Sequence, residues 1–294
     1  MVMDTASRIA VGDVPLAVDL DGTLLHTDVL WENALALLAR NPLILFLLPF
    51  WLLRGRAHLK RMLALRAPVD PAVLPYDARV LELLDASAGR PRWLVTAADQ
   101  AQAEAIAAHL GRFEGVIASD GISNLAGPAK AAALVERFGD RGFDYLGNGL
   151  VDLRVWRHAR RGWVVNAPGS LSRRAAALTE VVAHWPRSHS VAGAWLRAIR
   201  LHQWTKNLLV FVPLAAAHRF FDAQAILASM QAFLAFGLCA SGVYIANDLL
   251  DLANDRRHPR KRLRPFASGR IPLLHGMVAA PLLALAGLAL AWRV

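Results

Sequence analysis

The sequence predicts an α/β domain built on a mostly parallel sheet, interrupted by a helical cap and followed by helices that cross a membrane. Three observations predict this. Short β-rich apolar runs alternate with amphipathic helical ones over residues 15–168, the βαβ rhythm of a parallel sheet with helices on its faces. Of the 294 residues, 55% are hydrophobic and the mean hydropathy is +0.34, too apolar for an ordinary soluble protein. The last third holds apolar runs of spanning length, about 20 residues.

The opening stretch MVMDTASRIAVGDV lacks the basic start and apolar core of a secretory signal, so nothing in it directs export of the first domain. The predicted strands are LAVDLD, RWLVTA, FEGVIAS, FDYLGN and GWVVNA. Between them QAQAEAIAAHLG, AKAAALVERFG and VDLRVWRHA carry apolar residues at helical spacing, the first two ending at Gly. Residues 28–90 interrupt the rhythm with helical sequence and read as an inserted cap. Its run PLILFLLPFWLL is broken by Pro49 and too short to span. It reads as a buried cap helix, with a helix dipping into the membrane surface as the alternative. An Arg- and Ser-rich stretch, SLSRRAAALTEVVAHWPRSHS, reads as the link to the membrane part. The first domain is thus placed at residues 1–186 and three spans in residues 187–294, at about 208–217 extended by its flanks, 225–246 and 271–292. No internal sequence repeat is present.

The formal charge of +10 admits nucleic acid, anionic lipid or a phosphorylated substrate as partner. Its distribution decides. Arg187, Arg197, Arg200 and Lys206 precede the first predicted span, only Arg219 lies between the first and second, and the next loop reads RRHPRKRLRPFASGR. Basic residues at membrane borders favour lipid phosphate or a phosphorylated small molecule over nucleic acid. The positive-inside rule then places that loop and the first domain on the cytoplasmic side of the inner membrane. The single cysteine, Cys239, excludes a disulfide framework and a thiol metal cluster.

Two stretches carry chemistry. In DLDGT, an aspartate ends a predicted parallel strand, where open α/β sheets bind ligands, and the following Gly allows a turn with N–H groups facing an anion. A second carboxylate one residue on lets one group attack while the other moves a proton. This stretch and its company resemble the haloacid dehalogenase-like hydrolases over residues 15–168, a Rossmann-like family of mostly magnesium-dependent phosphatases. The resemblance implies Asp19 as nucleophile, Asp21 as general acid/base, Thr96 of RWLVTA as a phosphate-holding hydroxyl and Lys130 of GPAKAAAL as the phosphate-facing cation. It also implies Asp19, Asp21 and Asp152 of GNGLVD as magnesium-binding groups, with Asn148 where the family usually has a further acid. A carboxamide ligates magnesium more weakly, so either a slow, metal-hungry phosphatase or a non-catalytic domain follows. The chain uses lysine at only four places, Lys60, Lys130, Lys206 and Lys261, three of them inside motifs. A compact ammonium meeting phosphate as a point charge is a reason to keep lysine there.

In NDLLDLANDRRHPRKRLRPFASG, Asp248, Asp251 and Asp255 recur at i, i+3 and i+7, which places them on one helical face at a membrane border. Carboxylates so close need cations between them, as in a magnesium-diphosphate site. The stretch resembles the UbiA superfamily of intramembrane prenyltransferases over residues 195–294. That resemblance implies that Asn247, Asp248, Asp251 and Asp255 hold a magnesium-diphosphate and that Lys261 and Arg264 contact substrate. RLHQWTKNLLVFVP is similar to the branch that transfers phosphoribose to a polyprenyl phosphate, which would bring Arg200, Gln203, Lys206 and Asn207 into the site. The family's bundle continues beyond three spans, so the chain reads as a fragment holding an incomplete UbiA-type all-α bundle.

The expected function is therefore a membrane transferase acting on a polyprenyl phosphate or diphosphate lipid, with Mg2+ as cofactor. The fused phosphatase would act on a phosphorylated small molecule, most economically removing the 5-phosphate of a polyprenyl-phosphoryl ribose product. Two alternatives stay open: a membrane-anchored phosphatase only, or a transferase with a scaffolding phosphatase-like domain.

Overall fold

The structure is a computed structural model that describes residues 14–187 and 190–293. The opening stretch up to residue 13, read above as lacking an export signal, lies outside the described residues. The chain divides into two compact units, Met1–Ser188 and His189–Val294.

The first unit is built on six strands, β1 Leu16–Val18, β2 Arg92–Asp99, β3 Gly115–Ser119, β4 Asp144–Gly147, β5 Arg161–Val165 and β6 Glu180–Trp185. They lie in the order β3-β2-β1-β4-β5-β6, and every neighbouring pair is parallel. This is the Rossmann-like order, whose switch point falls between β1 and β4, so the carboxyl ends of those two strands frame the natural ligand crevice. Helices α1 Val29–Arg40, α2 Leu48–Leu53, α3 Arg56–Arg66 and α4 Ala78–Ala86 lie between β1 and β2. The helices α5 Gln100–Leu110, α6 Pro128–Phe138, α7 Leu153–Trp156 and α8 Gly169–Ala176 follow successive strands.

Strand alternation sends side chains to two cores. Val18 and Leu94 pack with Val80, Leu84 and Ile106 on one face, and Ala17 and Val95 pack with Leu134, Tyr145 and Trp156 on the other. Both faces are covered, which is why the central strands read as unbroken apolar runs.

The structure differs from the sequence reading at four places in this unit. The stretch read as a linker forms α8 and β6. β6 is half-buried at the sheet edge and so lacks a continuous apolar run. VDLRVWRHA makes only a 3-10 turn, Leu150–Asp152, and the four-residue α7. The cap is shorter than residues 28–90, because α4 buries Val80 and Leu84 in the main core, while the cap's own core is Leu37, Trp51, Leu63 and Ala67. Finally, the expected buried cap helix is not buried. Pro42 and Pro49 divide it into a 3-10 turn, Pro42–Phe46, and α2, and of its residues only Trp51 is buried.

In the second unit, α9 Val191–Ala198 leads into a 3-10 helix, Leu201–Phe211, and the short α10 Val212–Ala216. Then come α11 Ala223–Leu250, α12 Leu252–Arg257 and α13 Leu273–Ala291. Among the described residues two helices, α11 and α13, are long and apolar enough to cross a membrane. The first expected span is not such a helix, because its polar start (His202, Gln203, Lys206, Asn207) and Pro213 leave too short a run. The two long helices approach closely through small residues: a Cβ added at Gly242 would lie 2.7 Å from the Ala280 carbonyl oxygen. Such backbone proximity is the usual basis of helix pairing in lipid.

Asp77 caps α4 by accepting from the Arg79 N–H, takes the Arg79 guanidinium at 2.6 Å and accepts from Asn166 at 3.0 Å. Burial pushes its carboxyl up, but these hydrogen bonds and the nearby His26 outweigh that and hold it below the ordinary value. A depressed acid contributes stability that is present above its unfolded value, near pH 4, and is lost as pH falls below it. Asp77→Asn is therefore expected to destabilise the first unit by about 1–2 kcal/mol at pH 7. The gap should narrow at pH 3, as thermal unfolding at the two pH values would show.

Candidate active site

The chain leaves β1 at Val18 and curls at once. The Asp19 N–H donates to the Leu146 carbonyl of β4 at 3.1 Å, and the Leu24 and Leu25 N–H groups return to the carbonyls of Asp19 and Leu20 at 3.2 and 2.9 Å. Gly22 makes this possible. Its φ of +77° suits glycine, and a Cβ there would fall 1.9 Å from Asn148 Nδ2.

The Asp19 carboxylate is buried between two donors. Lys130 Nζ, from the first turn of α6, is 2.5 Å from Oδ1, and Thr23 Oγ1 donates to Oδ2 at 3.1 Å. Lys130 also donates to the Tyr145 hydroxyl at 3.2 Å, and that hydroxyl donates to Asp152 Oδ1 at 2.7 Å. The other Asp152 oxygen accepts from the Asn148 and Gly149 N–H groups at 3.0 and 2.9 Å. A continuous chain of charge-assisted hydrogen bonds thus crosses from β1 to the loop after β4. Burial raises Asp19 to about 6, Lys130 opposing that shift and the Asp152 charge adding to it. Burial alone would lower Lys130, but Asp19 and Asp152 outweigh it and hold the ammonium above its ordinary value. Burial, then the Asp152 charge, raises Tyr145, so it stays a neutral donor.

Asp21 faces elsewhere. One of its oxygens accepts from the Val29 N–H at 2.8 Å, and burial, followed by the charge of Asp28, pushes the carboxyl well above its ordinary value. Thr96 is buried on β2, where its Oγ1 accepts from the Ala98 N–H at 3.0 Å. Because Val18 pairs with Leu94, Asp19 and Thr96 emerge from adjacent strands at the same end of the sheet.

A cavity of about 470 Å³ opens beside Asp21, between cap and sheet. Arg56 and Lys60 of α3 line it, as do Asp28, Asp99, Gln102 and Asn124. Lys60 Nζ donates to the Ala97 carbonyl at 2.5 Å and to Asn124 Oδ1 at 2.9 Å, and burial lowers its pKa. Asp99 Oδ1 caps α5 through the Ala101 N–H at 3.1 Å, while its buried Oδ2 has no hydrogen-bond partner among the described residues.

Several of these residues escape the sequence reading. Lys60 is the one lysine outside a motif, so the scarcity of lysine pointed at it. Tyr145 carried a weaker signal: a tyrosine in a buried strand must find a partner for its hydroxyl. Thr23, Asp99 and Asn166 gave none. Asn166 sits at φ +52° after β5, and its Nδ2 donates to the Gly22 carbonyl at 3.1 Å and to Asp77 at 3.0 Å, tying the turn to α4.

In the second unit Arg264 Nη1 bridges Asp248 Oδ1 at 3.1 Å and Asp255 Oδ2 at 2.8 Å. Arg200 donates to Asp248 at 2.6 Å and lies 4.4 Å over the Tyr244 ring, and Lys261 Nζ stands 3.9 Å from Asp255. Three cations therefore face two buried carboxylates. Asp251 is exposed instead of joining them. It caps the end of α11 and precedes α12, so the three carboxylates do not share one continuous helical face. Asn247 and Lys206 are exposed, Gln203 bonds to His202, and Asn207 is buried. Among the described residues no hydrogen bond or ion pair joins these four to the Asp248 cluster.

Among the described residues, no three of His, Cys, Asp and Glu converge as a metal-binding group. The first site offers Asp19, Asp152 and the Asn148 carboxamide, the second Asp248 and Asp255. The available donors are oxygen, which suits a hard cation such as magnesium in kind.

The UbiA prenyltransferase family matches residues 208–294. The C-terminal segment is UbiA-family sequence. An uncharacterized protein, y4nM, of Sinorhizobium fredii is 42% identical over 90% of this chain and 52% of its own length. The decaprenyl-phosphate phosphoribosyltransferase of Mycobacterium tuberculosis is 40% identical over 40% of this chain and 40% of its own length. The chain spans about half the length of the curated relatives it matches. Among solved structures, a phosphoserine phosphatase in its apo form aligns at 15% identity and a TM-score of 0.41, covering 60% of this chain and 94% of that one.

Two predictions follow from the packing. Gly22→Ala should destabilise the first unit by about 1–3 kcal/mol through its positive φ and the contact with Asn148. Adding Asn148→Gly should recover only the contact's part, and thermal unfolding of the two variants separates the contributions. In the UbiA segment, Arg264→Ala should cost about 3 kcal/mol by removing the bridge between two buried carboxylates, which keep only Arg200 and the more distant Lys261. Added Mg2+ should restore thermal stability in that variant and fail to do so when Asp255→Asn is also present.

Proposed function

We propose that the chain joins a magnesium-dependent phosphatase to the UbiA segment of a membrane transferase that uses a polyprenyl phosphate or diphosphate lipid. In this reading the protein is integral to the inner membrane, with the first unit on the cytoplasmic side. The observation that carries the phosphatase half is the buried chain from Thr23 through Asp19, Lys130 and Tyr145 to Asp152, which holds one carboxylate oxygen beside an ammonium at the switch point of the sheet. Asp19 attacks the phosphorus of a phosphate monoester and the ester oxygen leaves. Asp21, whose carboxyl is held above its ordinary value by burial and then by the charge of Asp28, supplies the proton to that oxygen. Lys130 neutralises charge on the phosphoryl oxygens, and Thr96 holds one of them. Asp19, Asn148 and Asp152 would hold Mg2+, which when bound shields the phosphate charge from the attacking carboxylate. Water then cleaves the aspartyl phosphate, with Asp21, now ionised, taking its proton.

For the substrate, the mycobacterial relative's name supports phosphoribosyl transfer to a polyprenyl phosphate. The first unit would then remove the remaining 5-phosphate, with Asp99 Oδ2 accepting from a sugar hydroxyl. In the UbiA segment, Arg200, Lys261 and Arg264 bind the phosphates, and Asp248 and Asp255, with Asp251 at the rim, hold the magnesium-diphosphate. Asn247, Gln203, Lys206 and Asn207 complete that site.

The test is Mg2+-dependent phosphate release from ribose 5-phosphate esters by the purified chain. Asp19→Asn should lower kcat about 10³-fold or more. Asp99→Asn should mainly raise KM, about tenfold, the value of one hydrogen bond to a charged group. Equal rates for wild type and Asp19→Asn would overturn the phosphatase reading. They would favour a scaffolding unit, the reading to which the amide of Asn148 in place of an acid lends support.

A further inference from the structure

Between Glu32 and Asp70 the chain has no acidic residue, yet it carries Arg40, Arg54, Arg56, Lys60, Arg61 and Arg66. The same stretch displays the largest apolar side chains exposed on the first unit. Leu43 is 69% exposed, Phe46 74%, Phe50 65% and Leu53 84%. Trp51 is buried, Ile44 and Leu48 pack partly against the same core, and the Arg66 guanidinium lies 4.7 Å over the Trp51 ring. The arginines border the apolar segment at both ends: Arg40 closes α1 just before it, Arg54 caps α2 and Arg56 opens α3, all exposed.

We propose that this face of the cap, Pro42–Leu53, docks onto the anionic surface of the bilayer, with its Leu and Phe side chains at the boundary of headgroups and acyl chains. Three observations favour a bilayer over other occupants. An apolar face bordered by cations and devoid of acids complements anionic headgroups. A second copy meeting this face about a twofold axis would set arginines against arginines. The chain also carries two helices long and apolar enough to cross a membrane, which on the proposed membrane reading tether the unit to a bilayer. The segment is too short and too broken by proline to span, and it fits the interface instead. Leu52 is both exposed on this face and a wall of the cavity that holds Asp21 and Lys60, so the docking face and the cavity share a side chain. Docking goes beyond the phosphatase reading. Its corollary, that the cavity receives a phosphate carried by a lipid, rests on that reading.

The experiment places a spin label at Phe50→Cys or Leu53→Cys in the full chain, in a Cys239→Ser background, with Ala108→Cys on exposed α5 as control. The protein is reconstituted in vesicles of phosphatidylglycerol and phosphatidylcholine, and collision with oxygen is compared with collision with a water-soluble nickel chelate. Docking predicts a several-fold higher oxygen-to-nickel ratio at both cap positions than at the control. That ratio should fall in pure phosphatidylcholine vesicles and with Arg54→Gln and Arg61→Gln combined. Equal ratios at cap and control would overturn the proposal. So would shielding from both reagents: with dipolar broadening between labels it would assign the face to a second copy, and without it to protein contact within the chain. The labels report depth whether or not the chain hydrolyses phosphate, so loss of docking and loss of phosphatase activity are read separately.

Discussion

Burying charge at the carboxyl end of a parallel sheet is the constraint on which the first unit depends. Asp19, Lys130, Tyr145 and Asp152 are all taken out of water, and an ion so placed costs several kcal/mol unless it is paired and its hydrogen bonds are made. The topology answers that requirement. β1 and β4 are neighbours, so Asp19 and the Asp152 loop face each other, and α6 presents Lys130 from its first turn. Thr23, from the turn after β1, and the backbone N–H groups of Asn148 and Gly149 accept the remaining duties. The UbiA segment meets the same constraint, with guanidiniums from two separate stretches closing on Asp248 and Asp255.

Most of the sheet was legible because its central strands are buried on both faces and read as short apolar runs between glycines. β6 was not, since an edge strand shows one half-buried face and EVVAHW sits among arginines that resemble a linker. Asp19, Lys130 and Asp152, which meet in the buried chain, were legible through the company they keep in sequence. Tyr145, Asp99 and Lys60 were not, because their roles arise only when distant segments meet. The i, i+3, i+7 pattern assumed one helix, whereas Asp248 lies in α11, Asp255 in α12 and Asp251 at the break between them. The marginal first span failed for a related reason: apolar residues sufficed in number, but polar neighbours and a proline kept them from one long helix.

The two units use basic residues differently. Lysine appears where a single nitrogen must serve several partners, as Lys130 does between Asp19 and Tyr145 and Lys60 between Ala97 and Asn124. Arginine appears where a planar fork bridges carboxylates or lies over an aromatic ring, as with Arg264, Arg200 and Arg66. Against 29 arginines the chain has four lysines, and two of them, Lys60 and Lys130, are placed in this way.

The contact between Gly22 and Asn148 has a consequence for the resting state of the first unit. The Asp152 charge already raises the cost of ionising Asp19, and a third carboxylate pressed against the turn would add to that repulsion. An amide supplies the same oxygen without that repulsion. The turn can therefore keep its shape through an ion-free interval, with Lys130 holding the electrostatic balance. On the proposed phosphatase reading, what such a site would lose in grip on the metal it would gain in being already assembled when metal and substrate arrive.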